Sequence, residues 1–149
     1  MGYGGAQMSY ESPLVRGSEA IGEVLSGAST LSALCDLYAE HETEVSAGMF
    51  LIIKDSRRDL KFLARVADVS PEHAFYRPGD VWSGARRERI QLPSEIGTQY
   101  VTCALEIVAE IDESGKLKPP TSAPFPGSKV IQPGSQELLS YLMPDEQEA

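Results

Sequence analysis

The chemistry open to this chain must come from few residues. His41 and His73 are its only imidazoles, and each stands beside acids: Glu40 and Glu42 flank the first, Glu72 precedes the second. A histidine next to a carboxylate is the pairing that moves protons in general acid–base catalysis. In a solvated loop the same pairing does no chemistry. The pairs Glu40/Glu42 and Glu42/Glu44 divide in the same way, between an acid–base or metal-holding pair and a solvated acidic edge. Cys35 and Cys103 lie in apolar stretches, with no base beside either to activate a thiol. Neither has a Cys or His at metal-ligand spacing, which argues against zinc. They read as two buried thiols, with a disulfide the alternative that geometry must decide. The nearest string to a phosphate loop is PGSKV, where Gly127 and Lys129 lack the G-x-x-x-x-G-K-[ST] spacing that wraps backbone amides around phosphate. These patterns name no catalytic, cofactor-binding or metal-ligating residue.

Two basic clusters remain. Lys54, Arg57, Arg58 and Lys61 crowd one stretch, and Arg86, Arg87 and Arg89 another. In an acidic protein such clusters dock onto an acidic partner, a neighbouring subunit or a phosphate backbone, or they simply solvate turns. Arg57, Arg58, Arg86, Arg87 and Arg89 are therefore the candidate partner contacts. Phe75 and Trp82 bracket the turn YRPGD and read either as interface anchors or as aromatics capping a core.

Composition narrows the field. A chain of 149 residues suits one domain, and 42% apolar with 23% charged residues is ordinary globular usage. Its 22 acidic and 13 basic residues give a net charge of −9. Phosphate neutralisation drives most nucleic-acid affinity, so this balance argues against DNA binding by the fragment alone. No apolar run approaches the roughly 18 residues of a membrane span. The N-terminus lacks the charged-then-apolar layout of a secretory signal. A cytoplasmic location is the expectation.

The elements that must position these residues are mostly strands. Residues 1–17 read as a flexible arm, 18–132 as a β-barrel, and 133–149 as a short connecting helix with an acidic tail. EAIGEVL is a first strand, with Gly22 a weak point unless a bulge or a close backbone contact needs it. LCDLYAE, residues 34–40, is a second strand, and Gly48 a positive-φ turn position. MFLIIK is continuously apolar up to Lys54, which predicts burial on both faces. DSRRD, residues 55–59, forms a hairpin loop with an outward-facing tip. The return strand points Leu60, Phe62, Ala64 and Val66 one way and Lys61 and Arg65 the other.

SPEHAF suggests a helical turn with Ser70 as N-cap and Pro71 at its first position. SGARRERIQLP holds a short strand or nothing regular. The clearest strand is QYVTCALEIVAEID, with Val101, Cys103, Leu105, Ile107, Ala109 and Ile111 on one face and Thr102, Glu106 and Glu110 on the other. LKPPTSAPFPG is too rich in proline to pair as a central strand. SKVIQ is a last short strand. GSQELLSYLM is a helix with Ser135 as N-cap and Leu138, Leu139 and Leu142 on one face. The fold class is mainly β: a small closed or partly open barrel of five to six strands with a short C-terminal helix.

The order EAIGEVLSGAST, EVSAGMFLIIKD, DLKFLARVADVS, TCALEIVAEID, PPTSAPFPGSKV and then SQELLSYL resembles the HAS barrel. This is the N-terminal domain of HerA-type hexameric DNA-translocating ATPases, named for its similarity to the corresponding domain of ATP synthase subunits. PFPGSKV looks like that family's turn into the last barrel strand, and SQELLSYL like the connector before the ATPase core. The resemblance covers roughly residues 19–142. It implies a non-catalytic barrel that supports a hexameric ring and docks a NurA-type nuclease, in DNA end resection and repair, or another effector in antiviral defence. ATP and Mg are expected only in an ATPase core that this chain lacks. DNA is then reached through the parent helicase-like assembly, with no membrane partner. The alternative is a freestanding OB-like barrel that binds nucleic acid, which would require stacking aromatics among basic residues.

Overall fold

A computed structural model of the chain describes residues 19–73, 76, 79, 83–89 and 99–143. The expectations for the N-terminal arm, for Phe75 and Trp82, for residues 90–98 and for the acidic tail lie outside them.

Among the described residues seven strands form: β1 Ala20–Val24, β2 Ser32–Leu37, β3 Phe50–Lys54, β4 Lys61–His73, β5 Gln99–Ile111, β6 Leu117–Lys118 and β7 Lys129–Ile131. Their order is β2-β1-β7-β3-β4-β5-β6, and β2 also pairs with β5. Every pairing is antiparallel. The β2–β5 ladder closes six strands into a barrel, with β6 a two-residue addition beside β5. Helix α1, Ser83–Arg87, lies between β4 and β5, and helix α2, Ser135–Leu142, follows β7.

The alternating patterns dictate what fills the barrel. Leu51, Ile53, Phe62, Ala64, Val66, Cys103, Leu105 and Val130 are among the residues of one interior core. A fully buried side chain as large as Leu51 or Phe62 contributes about 2 kcal/mol. The unbroken apolar run of β3 has a separate cause. Ile52, with Leu63, Ile111 and Tyr141, forms a second core, and Phe50, Leu117 and Leu138 pack against it. Helix α2 thus covers the outside of the wall, and β3 is buried on both faces as its sequence requires.

Gly22 sits where β1 meets both neighbours, at a register shift against β7. A Cβ there would lie 2.5 Å from the Asp36 carbonyl oxygen and 2.8 Å from Cys35 Sγ. Only glycine permits that approach. Gly48 has φ +95 and Gly127 φ +86, the left-handed turns that deliver β3 and β7.

Several expectations need correction. Ser70 to His73 are not a helical turn but the end of β4, paired with Thr102 to Gln99 of β5. Ladder bonding to a long neighbour outweighs the local Ser-Pro capping signal. The β3 ladder stops at Arg65, with Val66 still bonded to Met49 and Gly48, so further on β4 is hydrogen-bonded only to β5 among the pairings described. That edge is poorly suited to further pairing: the Val69 N–H donates to Asp68 Oδ1 at 2.9 Å, and Pro71 has none to offer.

The second strand begins and ends earlier than residues 34–40, at Ser32 and Leu37. Ser83–Arg87 is helical, neither strand nor irregular. The N-cap of α2 is Gly134, with no side-chain cap bond, and Ser135 is already inside the helix. Its buried face is Leu138 and Tyr141, while Leu139 and Leu142 are exposed. Tyrosine carries enough apolar ring to displace a leucine from the contact. Burial pushes its hydroxyl pKa up to about 12, with Glu137 adding to the effect through a 3.1 Å bond.

The close approach at Gly22 makes Gly22→Ala the sharpest probe of the barrel. Overpacking there should cost about 1–3 kcal/mol, seen as a lower urea midpoint with an unchanged slope. An unchanged midpoint would show that the β1–β2 contact is looser than described.

Candidate functional site

The proline-rich segment after β6 cannot build a ladder, because prolines lack the N–H. Side chains from the strands bond it instead. Glu110 of β5, expected to face outward, is buried, and its Oε1 accepts from the Thr121 N–H at 3.0 Å and the Thr121 hydroxyl at 3.3 Å. Those bonds, led by the Thr121 N–H and helped by Lys118 at 3.6 Å, hold the Glu110 pKa below its ordinary value despite burial. Ser128, fully buried, accepts from the Ser56 N–H at 3.0 Å and donates to the Phe125 carbonyl at 2.6 Å.

The hairpin tip is built around Asp55, whose side chain is inaccessible. Its Oδ1 accepts from the N–H groups of Arg57 and Arg58 at 2.8 and 3.0 Å. Its Oδ2 accepts from Arg58 Nη2 at 2.7 Å. Burial pushes the Asp55 pKa up, but these bonds and one from the Phe125 N–H outweigh it and hold the pKa low. Arg58 Nη2 also donates to the Ala123 carbonyl at 2.7 Å, and the guanidinium lies 4.9 Å from the Phe125 ring centroid. The expected outward-facing tip is thus divided. Arg58 is folded back onto the proline segment as a staple, while Arg57 is exposed with its guanidinium 5.5 Å from the same ring.

The second basic cluster is elsewhere. Arg86 lies 5.6 Å from the Tyr76 ring, and Tyr76 packs edge-on to His73 at 4.6 Å. Arg87 donates to the Ser83 hydroxyl at 3.1 Å. Arg89 takes a left-handed φ of 63 just past the helix. This cluster belongs to the His73 end of β4, whereas the tip belongs to the Lys61 end. Thirteen strand residues separate those ends, roughly 40 Å of chain path. The two clusters cannot grip one small ligand.

The imidazoles differ from expectation as well. His73 ends a strand and is not in a loop. His41 ends a 3₁₀ turn, Ala39–His41, and is only 6% exposed. Its Nδ1 lies 2.8 Å from Glu44 Oε1, and its Nε2 lies 3.6 Å from Glu19 Oε2. Nε2 is buried with no hydrogen-bond partner. The Glu44 bond holds the ring's pKa above its ordinary value against the opposing pull of burial, and the charges of Glu19 and Glu40 add to it. Glu19, His41 and Glu44 border a pocket of about 340 Å³ that Gln132 and Ser135, before and at the start of α2, also line. The i, i+3 spacing of His41 and Glu44 was the available sequence signal, but burial across α2 was not readable from it.

Cys35 and Cys103 are free, buried and register partners across the β2–β5 closure. Burial raises both thiol pKa values, to about 12 and about 11, leaving little thiolate to react. No cluster of three or more metal-ligating side chains occurs among the described residues. No helix among them is long and apolar enough to cross a membrane. No family model matches the chain, and no curated protein does.

Two outcomes test these roles. Arg58→Ala should lower stability by about 1–2 kcal/mol because it strands a buried carboxylate, while Arg57→Ala stays within about 0.5 kcal/mol. Equal losses in urea denaturation would refute the division of labour. For His41 the folded pKa lies above the unfolded value of 6.5. The stability it contributes is complete below the unfolded value and is lost as pH rises through the folded one. Urea midpoints should therefore fall as pH rises above the unfolded value, and the fall should shrink in Glu44→Gln.

Proposed function

We propose that this chain is a non-catalytic assembly and docking barrel of a HerA-like DNA-translocating ATPase. The observation that carries the reading is a small barrel whose interior is packed with apolar side chains and whose surface is shaped by a docked proline turn and an outer helix. A filled interior offers no internal ligand chamber, so recognition falls to the surface. The segment PFPGSKV, through the Gly127 turn, delivers β7 as the last barrel strand, and α2 follows directly. That succession supports the HAS-barrel resemblance.

In this reading the barrel contributes to a hexameric ring and docks a NurA-type nuclease, or another effector, in DNA end processing or defence in the cytoplasm. ATP and Mg²⁺ would be held by an ATPase core outside this chain. The docking face is the rim of basic residues, exposed Arg57 on the hairpin with half-buried Arg86 and exposed Arg87 at the end of α1 and exposed Arg89 just past it, with Arg58 kept for the fold. Two separated basic patches suit an extended acidic surface better than a compact ligand.

The test is co-purification of the full chain with the NurA-type nuclease encoded nearest to its gene. The nuclease should be retained, and Arg57→Glu combined with Arg87→Glu should weaken retention about tenfold with stability unchanged. Retention of nuclease by the variant at full strength would remove these arginines from the interface. No retention, together with salt-sensitive retardation of single-stranded DNA, would replace docking by the nucleic-acid-binding alternative.

A further inference from the structure

We infer that the pocket beside His41 receives a primary ammonium group, in the form of a lysine side chain presented by a protein partner. One buried acceptor without a partner, His41 Nε2, and the exposed carboxylate of Glu19 beside it carry the inference. Because Nδ1 is bonded to Glu44, the neutral ring keeps its proton on Nδ1 and leaves a lone pair on Nε2, on a side chain that lines the pocket. That nitrogen is buried and has no hydrogen-bond partner. Glu19 Oε2, 3.6 Å away, is too distant to bond to it directly. One donor nitrogen with two N–H bonds can reach both atoms at about 2.8–3.0 Å.

An ammonium meets this demand and an anion does not. Glu19 and Glu44 line the pocket, and Glu40 lies close enough to act on the same imidazole. The positive end of α2 borders the site, but Glu137 in its first turn offsets it. The titratable groups facing His41 are Glu19 just before β1, Glu40 in the 3₁₀ turn and Glu44 just past it, while the α2 side supplies Gln132 and Ser135, neither of which titrates. Among the described residues no group of three or more His, Cys, Asp or Glu side chains is arranged to hold a metal ion, and Glu44 is already bonded to the imidazole, so a bound metal ion is the weaker fit.

The proton competes with the ligand for the Nε2 lone pair. Lysine binding therefore displaces a proton from His41 and strengthens as pH rises. If His41 were only an imidazolium strapping two carboxylates together, no ligand would bind and this dependence would be absent.

The lysine source rests on the docking function proposed above, whereas the pocket chemistry can be tested without a partner. N-acetyl-lysine methylamide is titrated into the full chain and followed by ¹H–¹⁵N correlation spectra. The expected result is saturable shifts at Glu44, Gln132 and Ser135. Affinity should rise from about pH 5.5 to about pH 8. It should weaken about fivefold in Glu19→Gln, an exposed position whose substitution leaves the fold intact. The norleucine analogue, which lacks the ammonium, should not bind. Absence of saturable shifts, equal affinity in Glu19→Gln, or affinity that falls with pH would each overturn the inference. Probe binding without nuclease retention would count against the docking function alone, and nuclease retention without probe binding against the pocket alone.

Discussion

A strand of three residues holds the barrel wall together. Lys129–Ile131 pairs with β1 on one side and β3 on the other, and without it both neighbours would present unpaired backbone at an open gap. Buried N–H and C=O groups must be satisfied, so this short ladder does more for closure than its length suggests. Its flanks are fixed accordingly. Val130 is fully buried, and Lys129 donates to Glu23 Oε2 at 2.9 Å and to the Tyr38 hydroxyl at 3.1 Å, joining three parts of the wall. The Gly127 turn and the Ser128 hydroxyl aim the strand into its slot.

That constraint explains why charged groups are spent on the proline segment leading into β7. A chain that cannot donate regular ladder bonds has to be placed by side chains. Glu110, Asp55, Arg58 and Ser128 do so from three different elements. Residues that look like surface chemistry in a one-dimensional reading are therefore partly structural. The hairpin between β3 and β4 is firm because its tip is a socket for the turn that feeds β7. What bears on recognition is Arg57, Arg87 and Arg89, which are exposed, and the acidic pocket beside His41.

The two ends of the β4–β5 ribbon keep those surfaces apart. Strands of 13 residues outlast their neighbours, so the basic patches lie at opposite ends of one element. The overhanging β4 edge is blunted by Asp68 and Pro71, which directs any partner toward side chains and pockets and away from strand addition.

Periodicity in the sequence was sufficient for the barrel. Alternation in β4 and β5, the doubly apolar β3 and the glycine turns at Gly48 and Gly127 are local consequences of side-chain direction and backbone freedom, so they survive reading one residue at a time. The helix face, the cap of α2 and the Ser70–Pro71 segment were not fixed locally. Tyr141 is inside because β3 and β4 present Ile52 and Leu63 to it, and Pro71 is extended because β5 runs beside it. Residue types alone located the arginines, the cysteines and the acids Glu40 and Glu42 beside His41. Only the folded chain separated Arg58 from Arg57, set Cys35 opposite Cys103, paired His41 with Glu44, and buried His41 beside a pocket that the start of α2 also lines. Partnership of that kind depends on which distant segments the closed wall brings together, and that wall pairs residues more than a hundred positions apart, Glu23 and Lys129.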